Sequence, residues 1–225
     1  MVKRKLMAAT MVVVAVGIIS KASAQVEKTT NQNQNRMTTE QVKKSSVGEW
    51  VSIAPEVRPS STKDASGNIK PFYLTRTFNY SADGKFTLVM INSADPYGKI
   101  PLVKIVLSGN TEWQGEHPIA PGAQKIHYIA DAAYDITPLN QGFADAMNSF
   151  ATTGYHKWAV GETQSILGKA FPPFGLTEGQ IYGEYDLIYI YHGLMFWGAK
   201  HVDGRSFEKE ENHPDNLQIP MVRKE

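Results

Sequence analysis

The sequence predicts a mainly β protein: a strongly curved antiparallel sheet, a half-barrel or a full barrel, with one helix packed on it. Three observations carry this. From Val47 onward, apolar and polar residues alternate with period two in runs rich in aromatic and β-branched side chains. Turn-forming residues such as Asp83-Gly84 separate those runs. A single stretch, "TPLNQGFADAMNSF" (137–150), has helical spacing instead.

The first 24 residues stand apart. Lys3, Arg4 and Lys5 precede the apolar run "LMAATMVVVAVGII", and Ala22 and Ala24 supply the small residues of a cleavage site. The run is short for a bilayer span, so residues 1–24 are read as a secretory signal cut at Ala24-Gln25, placing the mature protein in a periplasm or outside the cell. An uncleaved anchor is the competing reading, since Lys21 is unusual near such a cut. Removing four basic residues leaves 19 against 22 acidic ones, about −3, with no basic run, so nucleic acid is not an expected partner. There is no cysteine, which excludes disulfides, thiolate metal sites and a cysteine nucleophile. Residues 25–46, rich in Gln, Asn, Thr and Lys, read as a flexible tether, and 47–225 as one β-rich domain.

Within that domain, "EWVSI" opens the first strand. "FYLTRTFNY" and "KFTLVMIN" form a hairpin across "SADG", where Asp83-Gly84 is expected to supply positive φ angles. "KIPLVKIVLSG" and "TEWQGEH" continue the sheet, Pro101 marking an edge or a strand start. The first half of "AQKIHYIADAAYDI" reads as a strand. Thr137 is the expected N-cap of the helix and Pro138 its first residue, with Leu139, Phe143, Met147 and Phe150 on one face. Residues 151–180 are loop-rich, with room for a short irregular helix. "IYGEYDLIYIYHG" and "LMFWGAKHV" make a last strand pair, and a polar tail follows from Asp203.

Arg76 interrupts an apolar face shared by Phe72, Leu74, Phe78 and Tyr80. A guanidinium there needs a partner, because an uncompensated buried charge costs several kcal/mol. Trp50, Glu56 and Arg58 share parity on the preceding stretch. Glu56 is expected to pair with Arg76 while Trp50 stacks on it, the cluster closing one end of the sheet. Direct ligand contact by Arg76 is the alternative. The six histidines, His117, His127, His156, His192, His201 and His213, lack metal-ligand spacing, so no metal is expected. No nucleophile elbow, P-loop or dinucleotide fingerprint occurs, so no cofactor is expected. Asp131, Asp135 and Asp186 lie among aromatics, the one hint of carboxylate chemistry. Large apolar side chains on single strand faces then point to a concave hydrophobic pocket, with Phe78, Phe86, Leu88, Met90, Trp113 and Tyr189 as its candidate lining. A filled core is the alternative.

"GEWVSIAPEVRP" followed by "YLTRTF" resembles the adenomatosis polyposis coli down-regulated family, secreted or cell-surface inhibitors of Wnt signalling. Gly48, Trp50, Val51 and Ser52 match one motif, Glu56 to Pro59 a second, and Leu74, Thr75, Arg76 and Phe78 a third. "SGNTE" (108–112) and, more loosely, "LQIPMVRK" match two further segments. Pro55 stands where the family has a cysteine, and the chain has one such domain rather than two. The resemblance implies a single-domain, bacterial-type exported homologue whose β-domain holds a lipid or another apolar chain without catalysis. It also implies a homodimer in place of the tandem domains. Gly48-x-Trp50 equally resembles the first strand of a lipocalin. The alternative is therefore a lipocalin-like cell-envelope protein with an enzymatic or purely structural role.

Overall fold

A reciprocal cap starts the first helix, α1 (Thr39–Ser46): the Thr38 hydroxyl accepts from the Gln41 N–H, and the Gln41 side chain accepts from the Thr38 N–H. The structure, a computed structural model, describes residues 36–63, 65–201, 203 and 205–225. The expected signal segment and residues 25–35 of the expected tether lie outside these. The rest of the tether is corrected, because residues 39–46 are helical and Val42 is fully buried. One apolar side chain in a polar helix leaves no periodic signal, although the Thr-x-x-Gln spacing of a capping box is there. The compact unit accordingly begins at Thr38, not Val47.

The strands are β1 (Gly48–Ser52), β2 (Glu56–Lys63), β3 (Ile69–Tyr80), β4 (Lys85–Ser93), β5 (Pro101–Glu116), β6 (Gln124–Pro138), β7 (Gln164–Ser165), β8 (Tyr182–Tyr191), β9 (Leu194–Phe196) and β10 (Met221–Arg223). All their pairings are antiparallel. The order β1–β10–β9–β8–β6–β5–β4–β3 returns to β1, because β1 bonds β10 on one side and β3 on the other. The predicted curved sheet is thus closed into a hydrogen-bonded ring. β1 and β2 share one edge of β3: Trp50 sits opposite Phe78, and Glu56 opposite Leu74. The bend at Ile53–Pro55 lets one edge serve two strands.

Several expected boundaries move for identifiable reasons. "KIPLVKIVLSG" and "TEWQGEH" are one strand, β5, whose register against β6 shifts between Trp113 and Glu116 and at Gly109. Only glycine fits there, since a Cβ would lie 1.9 Å from the Ile129 carbonyl oxygen. Pro101 is a strand start and not an edge, because β5 runs between β4 and β6. At "SADG" only Gly84 takes positive φ: a turn closed by Gly84 N–H to Ser81 C=O is followed by a left-handed glycine. The strand expected in the first half of "AQKIHYIADAAYDI" runs from Gln124 through the rest of it, and β6 continues to Pro138, which pairs with Val103. Thr137 and Pro138 are therefore strand residues. The second helix, α2 (Gln141–Phe150), is capped by Asn140, whose Oδ1 accepts from the Phe143 N–H at 2.8 Å. Met147 and Ala144 are buried, while Phe150 at its end is exposed. The loop after it holds a 3-10 turn, Pro172–Phe174, and packs on buried Trp158, Ile166 and Phe171. The polar tail contributes the strand β10, too short for its alternation to mark it in the sequence.

α1 covers the end of the ring where β1 and β6 begin and β3 ends. Thr39 bonds Gln124, the first residue of β6, and the Trp50 indole donates to the Ser46 carbonyl at 2.7 Å. Arg223 of β10 lies 4.5 Å from the Trp50 ring centroid and donates to the carbonyls of Ser45 and Val47. Carbonyls that any helix leaves unpaired at its C-terminus are thereby satisfied by the seam that closes the ring. Trp50→Ala should therefore lower unfolding stability in urea by about 3 to 5 kcal/mol. The loss should be shared by helix and sheet as one transition in far- and near-ultraviolet circular dichroism.

Candidate ligand cavity

Period-two geometry sends the even residues of β3 and β4 inward, and the ring wraps them around a cavity of about 600 Å3. Phe78, Phe86, Leu88, Met90, Ile105, Leu107 and Trp197 form its apolar wall, and Phe174 and Phe207 reach it from loops. Toward the α1 end the wall is aromatic. Phe78 stacks on Tyr80 at 4.1 Å and meets the edge of Trp197 at 4.3 Å, and Phe86 meets Tyr128 at 5.1 Å. The Tyr80 and Tyr128 hydroxyls bond each other, and burial pushes both phenols well above their usual pKa, so neither titrates near neutral pH.

Of the six residues expected to line a pocket, Phe78, Phe86, Leu88 and Met90 do. Trp113 does not. It lies beyond the Gly109 irregularity, beside α1, with the Lys43 ammonium 5.8 Å from its ring. Tyr189 is also displaced, packing instead with Tyr191 and Phe196. β8 turns its other parity inward, so Tyr182, Glu184 and Asp186 line the cavity. Choosing the more apolar face of β8 selects the wrong one, because this strand faces a partly charged interior.

The polar side of the cavity is a charge cluster. Glu56 bonds Arg58 at 2.6 Å and Arg76 at 2.7 Å, one oxygen to each, and all three side chains are at most 15% exposed. The expected Glu56–Arg76 pair is present, with Arg58 joined to it. The expected stack of Trp50 on Arg76 is not: Arg76 lies over Trp197, 5.6 Å from the ring centroid, and donates to Gln218 at 3.0 Å. Trp50 is instead held at the ring seam by Arg223. Arg58 and Arg76 of the cluster line the cavity wall.

Glu184 and Asp186 complete the cluster from β8. Burial alone would raise the Glu184 pKa, but the Lys200 ammonium at 2.7 Å, the Tyr182 hydroxyl and Arg76 outweigh it and hold the carboxyl below its usual range. Asp186 has no such cation in contact. Burial first, and the Glu184 charge second, push it up to about 7, although Oδ1 accepts the Leu187 and Gly198 N–H groups at 2.7 and 2.8 Å. Of the carboxylates singled out in the sequence, Asp186 alone reaches the cavity. Asp131 accepts from the exposed Asn110 amide, and Asp135 lies opposite Ser165 of β7. The i, i+2 spacing of Glu184 and Asp186 was the available signal for this pair. His127 stacks on Tyr185 at 4.1 Å, and His213 meets the same tyrosine edge-on at 5.6 Å, on the side of β8 opposite the cavity residues.

Two outcomes follow from this electrostatic arrangement. Glu56→Gln strands two guanidiniums, whereas Arg76→Met leaves Glu56 paired with Arg58. Denaturant titration should find the larger loss in Glu56→Gln, about 3 to 5 kcal/mol, with non-additivity in the double variant. Asp186, with its folded-state pKa above the ordinary 3.8, binds more protons folded than unfolded between those values. Its contribution is thus most favourable at acid pH and is lost as pH rises through about 7. The stability gained by Asp186→Asn over wild type should increase from pH 4 to pH 8, by about 1.4 kcal/mol per unit of the pKa shift.

No protein-family model matches the chain, and no curated protein matches it either.

Proposed function

We propose that this chain is an exported, non-enzymatic binding protein that holds a lipid or another apolar chain in the cavity of its ring-closed sheet. The observation that carries the reading is the cavity itself: about 600 Å3, walled by Phe78, Phe86, Leu88, Met90, Ile105 and Leu107, within the range of ligand pockets. Apolar surface left uncovered by the fold forgoes about 25 cal/mol per Å2, and an apolar chain recovers it at about 0.8 kcal/mol per buried CH2. About ten methylenes offset several kcal/mol of association cost and leave micromolar binding. Export rests on the charged start, apolar run and small-residue site of residues 1–24. The resemblance of Gly48–Ser52, Glu56–Pro59 and Leu74–Phe78 to lipid-accommodating Wnt inhibitors points the same way.

The alternative, a lipocalin-like envelope protein with an enzymatic role, draws on Glu184 and Asp186 sharing the cavity wall. Against it, Glu184 is engaged by Lys200, and Asp186 Oδ1 by two peptide N–H groups. The deciding experiment titrates a fluorescent fatty acid into delipidated protein, then into Leu88→Asp and Met90→Asp variants shown to be folded. Saturable micromolar binding, weakened about tenfold or more in both variants, is expected. Absence of saturable binding to the wild type, or unchanged affinity in both variants, would rule out this cavity as the site.

A further inference from the structure

We infer that the cavity is a site for an amphiphile with an anionic head, a carboxylate or a phosphate ester, whose charge sits against Arg58 and Arg76 while its chain runs toward Phe78 and Phe86. The inference rests on the binding function proposed above and adds the ligand's chemical class. Its basis is a charge imbalance in the cavity wall. Arg58 and Arg76, 13% and 11% exposed, share the single carboxylate of Glu56, one oxygen each. Neither has the two-pronged match that a guanidinium makes with a carboxylate of its own. The Lys200–Glu184 pair adds no net charge. Arg205, at the edge of the lining, is engaged by Asp203 and Asp215. His201 accepts from Arg205 at Nδ1 and donates from Nε2 to the Asn212 carbonyl, and Glu208 is exposed.

Locally, Arg58 and Arg76 exceed Glu56 by one positive charge, and among the described residues Asp186 is the cavity-wall carboxyl left to balance it, Glu184 being held by Lys200. Burial opposes that: Asp186 titrates near 7, so its carboxyl is ionised only in part at neutral pH. An anion entering the cavity supplies the missing charge. It also competes with the ionised form of Asp186. The same wall runs continuously from Arg58 and Arg76 through Leu74 and Leu88 to Phe78 and Phe86. Head and tail contacts thus lie along one path.

The test displaces a neutral fluorescent probe, N-phenyl-1-naphthylamine, from the full-length mature protein with dodecanoate, dodecyl phosphate and dodecanol. The two anions should compete about tenfold or more better than the alcohol, the size expected of a charge-assisted contact. The stronger of the two identifies the head. Arg58→Gln should erase the advantage of the anions over dodecanol. Asp186→Asn, which keeps an acceptor for the Leu187 and Gly198 N–H groups, should widen it. Equal competition by all three ligands at wild type would overturn the inference and leave apolar binding standing, and that comparison needs no variant. An anion advantage that persists in Arg58→Gln, or one that shrinks in Asp186→Asn, would also overturn it. Failure of probe and all three ligands to bind would remove the binding function itself.

Discussion

Closure of the sheet at Trp50 is the constraint on which the rest of the structure depends. This residue lies in register with Phe78 on one side and Arg223 on the other, so it stands at the seam where first and last strands meet. A two-sided seam leaves β1 no free edge. Gly48 makes the approach possible: its φ is +119°, and a Cβ there would lie 2.4 Å from the Arg223 guanidinium. The guanidinium and the Trp50 indole then cap the C-terminal carbonyls of α1, and the same contacts fix helix, first strand and last strand together.

Covering one end with α1 has a consequence for the interior. A ring of strands with one end covered encloses a space whose filling depends on inward side chains alone. Near α1 the aromatic cluster of Phe78, Tyr80, Phe86, Tyr128 and Trp197 fills it. Farther along, Leu74, Leu88, Met90, Ile105 and Leu107 are too small to meet across the ring, and the space stays open. Into this apolar surround the chain places the charged groups of Arg58, Arg76 and Lys200 beside those of Glu56, Glu184 and Asp186. Such an arrangement is costly for stability alone, since well-packed apolar residues of similar volume often do as well or better. Its placement on the cavity wall gives the charges something to act on.

The fold class was legible from the sequence because strand periodicity is a local property. Alternation along 72–80 and 85–92 names the inward residues of β3 and β4 without knowledge of their neighbours, and four of the expected lining residues come from those two strands. The Glu56–Arg76 pair was legible for a similar reason: a charge on an apolar face needs a partner, and Glu56 had the parity to supply it. Asp83-Gly84 marked a hairpin, and the glycine supplied the left-handed conformation.

Which face of β8 looks inward was not a local property. Tyr185, Leu187 and Tyr189 form the more apolar set, yet Tyr182, Glu184 and Asp186 meet the cavity, because Arg76 and Lys200 arrive from distant segments to neutralise them in part. Trp113 shares the alternation of β5 but lies past the Gly109 irregularity, where α1 and not the cavity is its neighbour. Trp50 lost Arg76 to Trp197 and gained Arg223, a residue 173 positions away whose strand is only three residues long. The sequence by itself determined the strands, their turns and the need to pair each buried charge. Beyond the Glu56–Arg76 pair, tertiary structure decided the partners, Trp197 for Arg76 and Arg223 for Trp50, since ring closure brings together residues that no periodicity relates.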